Sequence, residues 1–328
     1  MEADLVERAG VPFQAIPAAG VHGVGLRALP HNLWQLGRGY FQSRRILDQF
    51  RPDALFFTGG YVAVPVALAG RKLPSLLYVP DIEPGLALKT LARYAGRIAV
   101  TAPDSRAYFP DHPQVEVTGY PARPGLKSWS PEQARLEFDL ASDLPVLLVF
   151  GGSKGARSIN RALLAVLPEL LAEMQVVHLS GRLDWPEVEA VRQRLAAAQL
   201  ARYRAYPYLH EQMGAALAAA DLVVSRAGAA TLGEFSLFGL PAILVPYPYA
   251  WRYQQVNAQY LARQGAAVIV ADEDLPARLL PVVQDIIRNP SRRAKMRQAM
   301  HALAQPAAAQ SIANLLVGMA QSHARDKV

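Results

Sequence analysis

Short apolar or β-branched runs alternate with longer amphipathic segments through most of this 328-residue chain, the pattern of βαβ units around parallel sheets. The runs predict strands over Ala54–Thr58, Ser75–Val79, Arg97–Val100 and Val115–Val117. A second set is predicted over Pro145–Phe150, Gln175–Leu179, Leu222–Ser225, Ala242–Val245 and Ala267–Val270. Between the sets, Gly119-Tyr-Pro-Ala-Arg-Pro-Gly125 holds two prolines and two glycines and cannot sit in a regular element. The expectation is therefore an α/β chain of two domains, residues 1–124 and 125–306. A last segment, 307–328, contains an apolar-periodic helix over Gln310–Ser322 that crosses back to the first domain. After the boundary, Ser130-Pro131-Glu132-Gln133 reads as a helix start, with an N-cap serine, proline at the first helical position and glutamine in the capping-box place.

The chain opens differently. A doubly wound domain begins with a strand and a Gly-rich turn, whereas Met1–Gly10 reads as a helix and the first strand-like run is Pro12–Pro17. The expectation is that something precedes this start in a complete domain.

Composition removes several classes. With 52% hydrophobic residues, and 25 Pro and 23 Gly spread without a fixed period, the chain is not a disordered tail, collagen, coiled coil or solenoid. The absence of cysteine removes disulfides, thiolate metal sites and cysteine nucleophiles, and suits a reducing compartment. No apolar run approaches the roughly 18 residues of a membrane-crossing helix. Lys and Arg number 34 against 27 Asp and Glu, a formal charge of +7 that suits an anionic membrane surface or phosphate-bearing substrates. No dense Lys/Arg tract, zinc-finger pattern or RNP pattern is present, so nucleic acid is not an expected partner.

Four turns carry chemistry. In Val146-Leu-Leu-Val-Phe-Gly151-Gly152-Ser153-Lys154-Gly155-Ala156, a buried strand ends in a Gly-rich turn before an apolar-periodic helix through Leu171. Such a turn aims backbone N–H groups and the positive end of the helix dipole at an anion. The spacing is neither a Walker loop nor G-x-G-x-x-G, so a phosphate cradle and a plain tight turn both fit. Ser225–Glu234 repeats the strand, Gly turn and helix with Gly228 in the turn. Glu234 then sits in the first helical turns, as a ribose-hydroxyl acceptor or a carboxylate stabilised by the dipole. The loop from Pro246 leads into Arg252, Tyr253, Gln254, Gln255 and Asn257, whose amides suit sugar hydroxyls or an ordinary polar helix start. Thr58-Gly59-Gly60-Tyr61 also follows a strand and precedes a helix, as a second phosphate cradle or a tight turn.

Two further segments stand out. Leu26–Arg45 mixes Leu29, Leu33, Trp34, Leu36, Tyr40 and Phe41 with Arg27, Arg38, Arg44 and Arg45, which fits either a core face or contact with anionic lipid. The seven His show no metal-binding spacing, and His210, in Tyr208-Leu209-His210-Glu211, sits in a turn whose backbone suits a nucleobase. No G-x-S-x-G elbow is present.

Taken in order, G-G-Y, G-Y-P-A-R, G-G-S-K-G-A, S-R-A-G-A-A-T-L-G-E and R-Y-Q-Q-V-N-A resemble the MurG-type glycosyltransferases of the GT-B fold, over nearly the whole chain. The resemblance implies two Rossmann-like doubly wound domains facing across a cleft. It implies inverting transfer of N-acetylglucosamine from UDP-GlcNAc to a polyprenyl-diphosphate-linked muramoyl peptide, lipid I, at the cytoplasmic face of the membrane, giving lipid II. It implies no tightly bound cofactor and no metal. By the same resemblance Gly151, Gly152, Ser153 and Gly155 face the donor diphosphate with Arg123 nearby, Leu209 offers its backbone to uracil and Gly228 lies in the donor turn. Glu234 holds the ribose, Gln254, Gln255 and Asn257 surround the GlcNAc, and Gly59, Gly60 and Tyr61 face the acceptor phosphate.

The departures are as informative. The family's first strand and G-G-T-G-G-H loop have no counterpart in this sequence, and its H-E-Q-N stretch is replaced by Tyr78-Val79-Pro80-Asp81. Asp81 and Glu83 are the acids near that point and the candidate bases. Other readings remain: a transferase with another lipid acceptor, a sugar-nucleotide epimerase, a non-catalytic UDP-sugar-binding homologue, or a chain completed by a second copy or a partner subunit.

Overall fold

The structure, a computed structural model, describes residues 6–7, 9–19, 29–152, 155–249 and 252–326. Most of the helix expected over Met1–Gly10 lies outside these residues, although Val6 and Glu7 are helical. The run Pro12–Pro17 is irregular and forms no strand, as suits a segment with a proline at each end and two fewer amide donors.

In the first lobe, helix α1 (Leu29–Phe50) leads to β1 (Leu55–Phe57), α2 (Ala63–Ala69), β2 (Ser75–Val79), α3 (Leu86–Ala92), β3 (Arg97–Val100) and β4 (Val115–Val117). Among the described residues these strands form one parallel sheet in the order β1-β2-β3-β4. Its register pairs Leu55 with Ser75, Leu77 with Ile98 and Ile98 with Val115.

The second lobe begins with α4 (Pro131–Glu137), whose capping box is complete. The Ser130 hydroxyl accepts from the Gln133 N–H at 3.2 Å, and the Gln133 side chain accepts from the Ser130 N–H at 3.2 Å. Then follow β5 (Val146–Phe150), α5 (Arg157–Ala165), α6 (Leu167–Glu173), β6 (Gln175–Leu179), α7 (Trp185–Arg192), α8 (Ala197–Leu200) and β7 (Tyr203–Tyr206). After them come α9 (Met213–Ala219), β8 (Leu222–Ser225), α10 (Ala230–Phe238), β9 (Ala242–Leu244), α11 (Tyr253–Arg263), β10 (Ala267–Ile269), α12 (Leu275–Ile287) and α13 (Pro290–Ala302).

In this lobe two elements differ from the sequence expectation. The helix expected to run through Leu171 is divided at Val166, because Pro168 has no N–H to continue the ladder. Strand β7 was not anticipated. Tyr203 and Ala205 are buried while Arg204 and Tyr206 are partly exposed, so this edge strand lacks the continuous apolar run that marks the inner strands.

The second sheet is parallel in the order β10-β9-β8-β5-β6-β7. Chain order reverses between β5 and β8, and at such a reversal the turns leaving two adjacent strands diverge and open a crevice at their C-terminal ends. Each face of this sheet is filled. Leu147, Val149 and Val176 pack against Ile159, Leu163 and Leu279, and Val146, Leu148 and Val223 pack against Leu217, Phe235 and Leu261.

The last helix, α14 (Ala308–Asp326), lies on the first lobe's sheet, where Ile312, Leu315, Leu316 and Met319 cover Leu76, Tyr78 and Ala99. The returning chain passes beside the outgoing linker. Gly119 has φ +87°, and a β-carbon built there would sit 2.3 Å from Gln305 Cβ, so this crossing admits only glycine.

Candidate functional site

The two Gly-rich turns of the second lobe flank the reversal point. After β5, a β-carbon on Gly151 would meet the Ala156 backbone N at 2.4 Å, and Gly152 and Gly155 have φ +93° and +78°. A β-carbon on Gly155 would lie 2.3 Å from the Ser180 carbonyl, so the loop presses on the end of β6. This close approach fixes the loop that leads into α5 against the end of β6. Ser153, expected at the diphosphate, and Lys154 lie outside the described residues.

Behind that turn is a buried polar chain. His178 on β6 contacts the Tyr203 hydroxyl at 2.7 Å through Nδ1 and Asn160 Oδ1 at 2.9 Å through Nε2. Asn160 Nδ2 in turn donates to the Ser180 carbonyl and to Asp184, both at 2.8 Å, and Asp184 accepts from Arg157 Nε at 2.9 Å. Burial pushes the His178 imidazole down to about 3, so it is neutral. Sequence reading passed over this chain because its members lie on separate elements and form no local motif.

After β8, Thr231 closes the second turn, its hydroxyl donating to the Gly228 carbonyl at 2.7 Å. A β-carbon on Gly228 would meet nothing within 4 Å, so the turn's surface is open to a ligand. Glu234 is partly buried one turn into α10, and burial raises its carboxyl above the usual range while Arg123 opposes the shift. Tyr120 of the linker lies against the same helix, since a β-carbon on Gly233 would come 2.5 Å from Tyr120 Cβ. Linker and ribose candidate therefore share one wall.

A further knot ties the turns together. Arg226 donates to Asp272 at 2.5 Å, to the Ser158 hydroxyl at 2.9 Å and to the Val245 carbonyl at 3.2 Å, and its guanidinium stacks 5.1 Å from the Tyr247 ring centre. Ser158 also donates to Asp272 at 2.7 Å. Residues following β5, β8, β9 and β10 are thereby held as one rigid rim.

Leu209 buries its side chain in the core between Tyr208 and His210, whose rings are 4.6 Å apart. Among the described residues neither its N–H nor its carbonyl has a hydrogen-bond partner, which leaves both for a base edge. Gln254 accepts from the Tyr247 N–H at 2.9 Å, so it shapes the loop after β9, and Gln255 is exposed.

Asn257 lies at the contact between the lobes. It is fully buried, and its amide atoms are occupied: Oδ1 accepts from the Ile82 N–H at 3.0 Å, and Nδ2 donates to Asp81 Oδ1 at 2.7 Å and to the Ala227 carbonyl at 3.1 Å. It joins the lobes. Beside it, Glu83 accepts from Arg252 Nε at 2.6 Å and lies 3.7 Å from Lys89 Nζ, and Arg263 pairs with Asp104 at 2.7 Å. Asp81 and Glu83 thus face the second lobe from the end of β2, although nothing in either local sequence announces these partners.

In the first lobe, Gly59 and Gly60 have φ +113° and +82°, and Tyr61 is exposed beside them. Tyr61 lies within electrostatic reach of the Tyr253 phenol on the facing lobe. On α1, Leu33, Trp34 and Phe41 are exposed rather than packed as a core face, and Arg38 stacks 4.8 Å from the Trp34 ring centre. Arg27 and the Leu29 side chain lie outside the described residues. Among the described residues no group of three or more His, Asp or Glu is arranged to hold a metal, and no helix is long and apolar enough to cross a membrane.

Residues 146–315 match the glycosyltransferase family 28 C-terminal domain and residues 1–100 match the family 28 N-terminal domain. A protein of Roseiflexus sp. (strain RS-1), named UDP-N-acetylglucosamine--N-acetylmuramyl-(pentapeptide) pyrophosphoryl-undecaprenol N-acetylglucosamine transferase, is 42% identical over 360 residues, covering 96% of this chain and 81% of that protein. One of the same name from Desulforudis audaxviator (strain MP104C) is 38% identical over 331 residues, covering 98% and 88%. Among solved structures, Acinetobacter baumannii MurG superposes with a TM-score of 0.76 at 26% identity, covering 97% of this chain and 88% of that one. UDP-GlcNAc 2-epimerase from Neisseria meningitidis bound to UDP-GlcNAc gives 0.66 at 13% identity, covering 97% and 88%, a likeness of fold alone.

Proposed function

The chain belongs to glycosyltransferase family 28, and from that membership and the geometry of its cleft we propose that it moves N-acetylglucosamine from UDP-GlcNAc to a polyprenyl-diphosphate-linked muramoyl peptide, converting lipid I to lipid II in peptidoglycan synthesis. The observation that carries the reading is the convergence of the turns after β5, β8 and β9 on one crevice at the sheet's reversal point, with Glu234 on its wall and the first lobe opposite.

In this reading the diphosphate lies beside Gly151, Gly152 and Gly155 ahead of α5, where backbone N–H groups and the helix dipole stabilise the charge that grows on departing UDP. Arg123 stands beside Glu234, which accepts from the ribose hydroxyls, and the Leu209 backbone reads uracil. Gln254 and Gln255 border the sugar, and Gly59, Gly60 and Tyr61 receive the acceptor phosphate. The acceptor hydroxyl attacks the anomeric carbon in line with the bond to UDP, which inverts that centre. Exposed Leu33, Trp34 and Phe41, set among Arg38, Arg44 and Arg45, bring the first lobe to the anionic cytoplasmic face of the membrane, where the lipid acceptor resides.

The test is incubation of the purified chain with UDP-GlcNAc, with and without a lipid I analogue. The expected result is a disaccharide lipid product only when the acceptor is present. Formation of UDP-ManNAc without acceptor would assign the chain to the epimerases, and UDP binding without either product would make it a binding protein.

A further inference from the structure

Two carboxylates follow β2 at the cleft, and their surroundings separate them. Glu83 is buried, its two oxygens face Arg252 and Lys89, and its negative charge is balanced by these cations. Its place is in the joint between the lobes. Asp81 is partly exposed, and among the described residues no cation pairs with it and its Oδ2 has no hydrogen-bond partner. Its Oδ1 accepts from Asn257, which also grips the Ile82 N–H and the Ala227 carbonyl. Ala227 precedes Gly228 in the open turn leading to Glu234, so one amide side chain fixes Asp81 against the donor rim.

We propose that Asp81 takes the proton of the attacking acceptor hydroxyl and that Asn257 is the positioning residue that holds it there. The inference rests on the transferase reading above. As the acceptor oxygen bonds to the anomeric carbon, its proton passes to Asp81 Oδ2. The bond from that carbon to the diphosphate oxygen breaks with its electron pair leaving on UDP, and the carboxylic acid afterwards returns the proton to water.

The groups facing Asp81 suit a base. Tyr78 from β2, Tyr120 from the linker and Tyr253 from α11 all feel its charge, and Glu234 and Arg123 act on the same Tyr120. Burial raises the Asp81 carboxyl above its ordinary range and the Asn257 hydrogen bond holds the rise in check, which brings the carboxylate towards the strength a general base needs. Arg252, which leads into α11, is engaged by Glu83 instead.

Asp81→Asn keeps an oxygen for Asn257 to donate to but cannot accept the proton. It is expected to lower kcat by roughly 100-fold or more, to leave KM for UDP-GlcNAc and calorimetric UDP affinity within about threefold, and to remove the acidic limb of the kcat profile. Asp81→Ala is expected to recover rate with added formate, a readout that a purely structural role does not move. Retention of kcat within about tenfold by Asp81→Asn, or equal losses in kcat and UDP affinity, would overturn the proposal. If the asparagine variant does not fold, an alanine variant that folds without formate rescue would do the same. A wild-type chain that transfers no sugar to a lipid I analogue would overturn this proposal and the transferase reading together, whereas an active wild type with an active Asp81→Asn would overturn only this one.

Discussion

His178 donates a hydrogen bond to Asn160 across 2.9 Å, and the direction follows from what Asn160 does elsewhere. The amide nitrogen of Asn160 is engaged by Ser180 and Asp184, so its oxygen faces the ring and can only accept. Nε2 therefore carries the proton and Nδ1 accepts from the Tyr203 hydroxyl at 2.7 Å.

This arrangement predicts acid sensitivity. The unfolded imidazole takes up a proton near pH 6.5, whereas the folded one resists to about 3. Its stabilising contribution is therefore complete above pH 6.5 and is lost as pH falls below that value, by about 1.4 kcal/mol per pH unit. Urea unfolding at pH 7.5 and 5.5 is expected to show a loss of about 1.4 kcal/mol from this group, absent in His178→Phe.

Glu234→Ala is expected to weaken UDP binding roughly 10- to 100-fold, the range for losing hydrogen bonds to a charged group, with little change in melting temperature. Because burial raises this carboxyl, UDP affinity in the wild type should decline on acidification at a higher pH than an ordinary glutamate dictates. Calorimetric titration with UDP from pH 7.5 downwards measures both, and affinity unchanged by the substitution would remove Glu234 from the site.

Gly155→Ala places a methyl group against the Ser180 carbonyl at a residue with φ +78°. The strain is of order 1–3 kcal/mol, and relief requires the turn after β5 to move. Lower thermal stability together with weaker UDP binding is the expected pair of results.

Ile312→Ala on α14 removes a buried side chain from the layer over Leu76, Tyr78 and Ala99. Chemical denaturation should register a loss of about 2–5 kcal/mol. A cost below about 0.5 kcal/mol would mean that α14 does not hold this face in solution.

Trp34→Glu combined with Phe41→Glu is expected to abolish sedimentation with vesicles containing anionic lipid while leaving turnover of a water-soluble acceptor analogue intact. Undiminished sedimentation would show that α1 is not the membrane-facing surface.

Most strands were legible because a buried parallel strand must be apolar on both faces, and runs such as Val146–Phe150 have no other reason to exist. Tyr203–Tyr206 escaped because an edge strand is wetted on one side and carries Arg204 in its middle. The glycines of the turn after β5 were legible for a local reason too, since close backbone approach at Gly151 and Gly155 leaves no choice of residue. What the sequence did not disclose was partnership. Arg226 and Asp272, or Asn257 and Asp81, meet only once the sheets are assembled, so the contact of Asn257 with the other lobe has no local signature.

The chain passes between its lobes twice, and at Gly119 the two passages touch. Both covalent links between the lobes therefore run side by side, and the contacts of Asp81 with Asn257 and of Glu83 with Arg252 tie the same two bodies a further time through side chains alone.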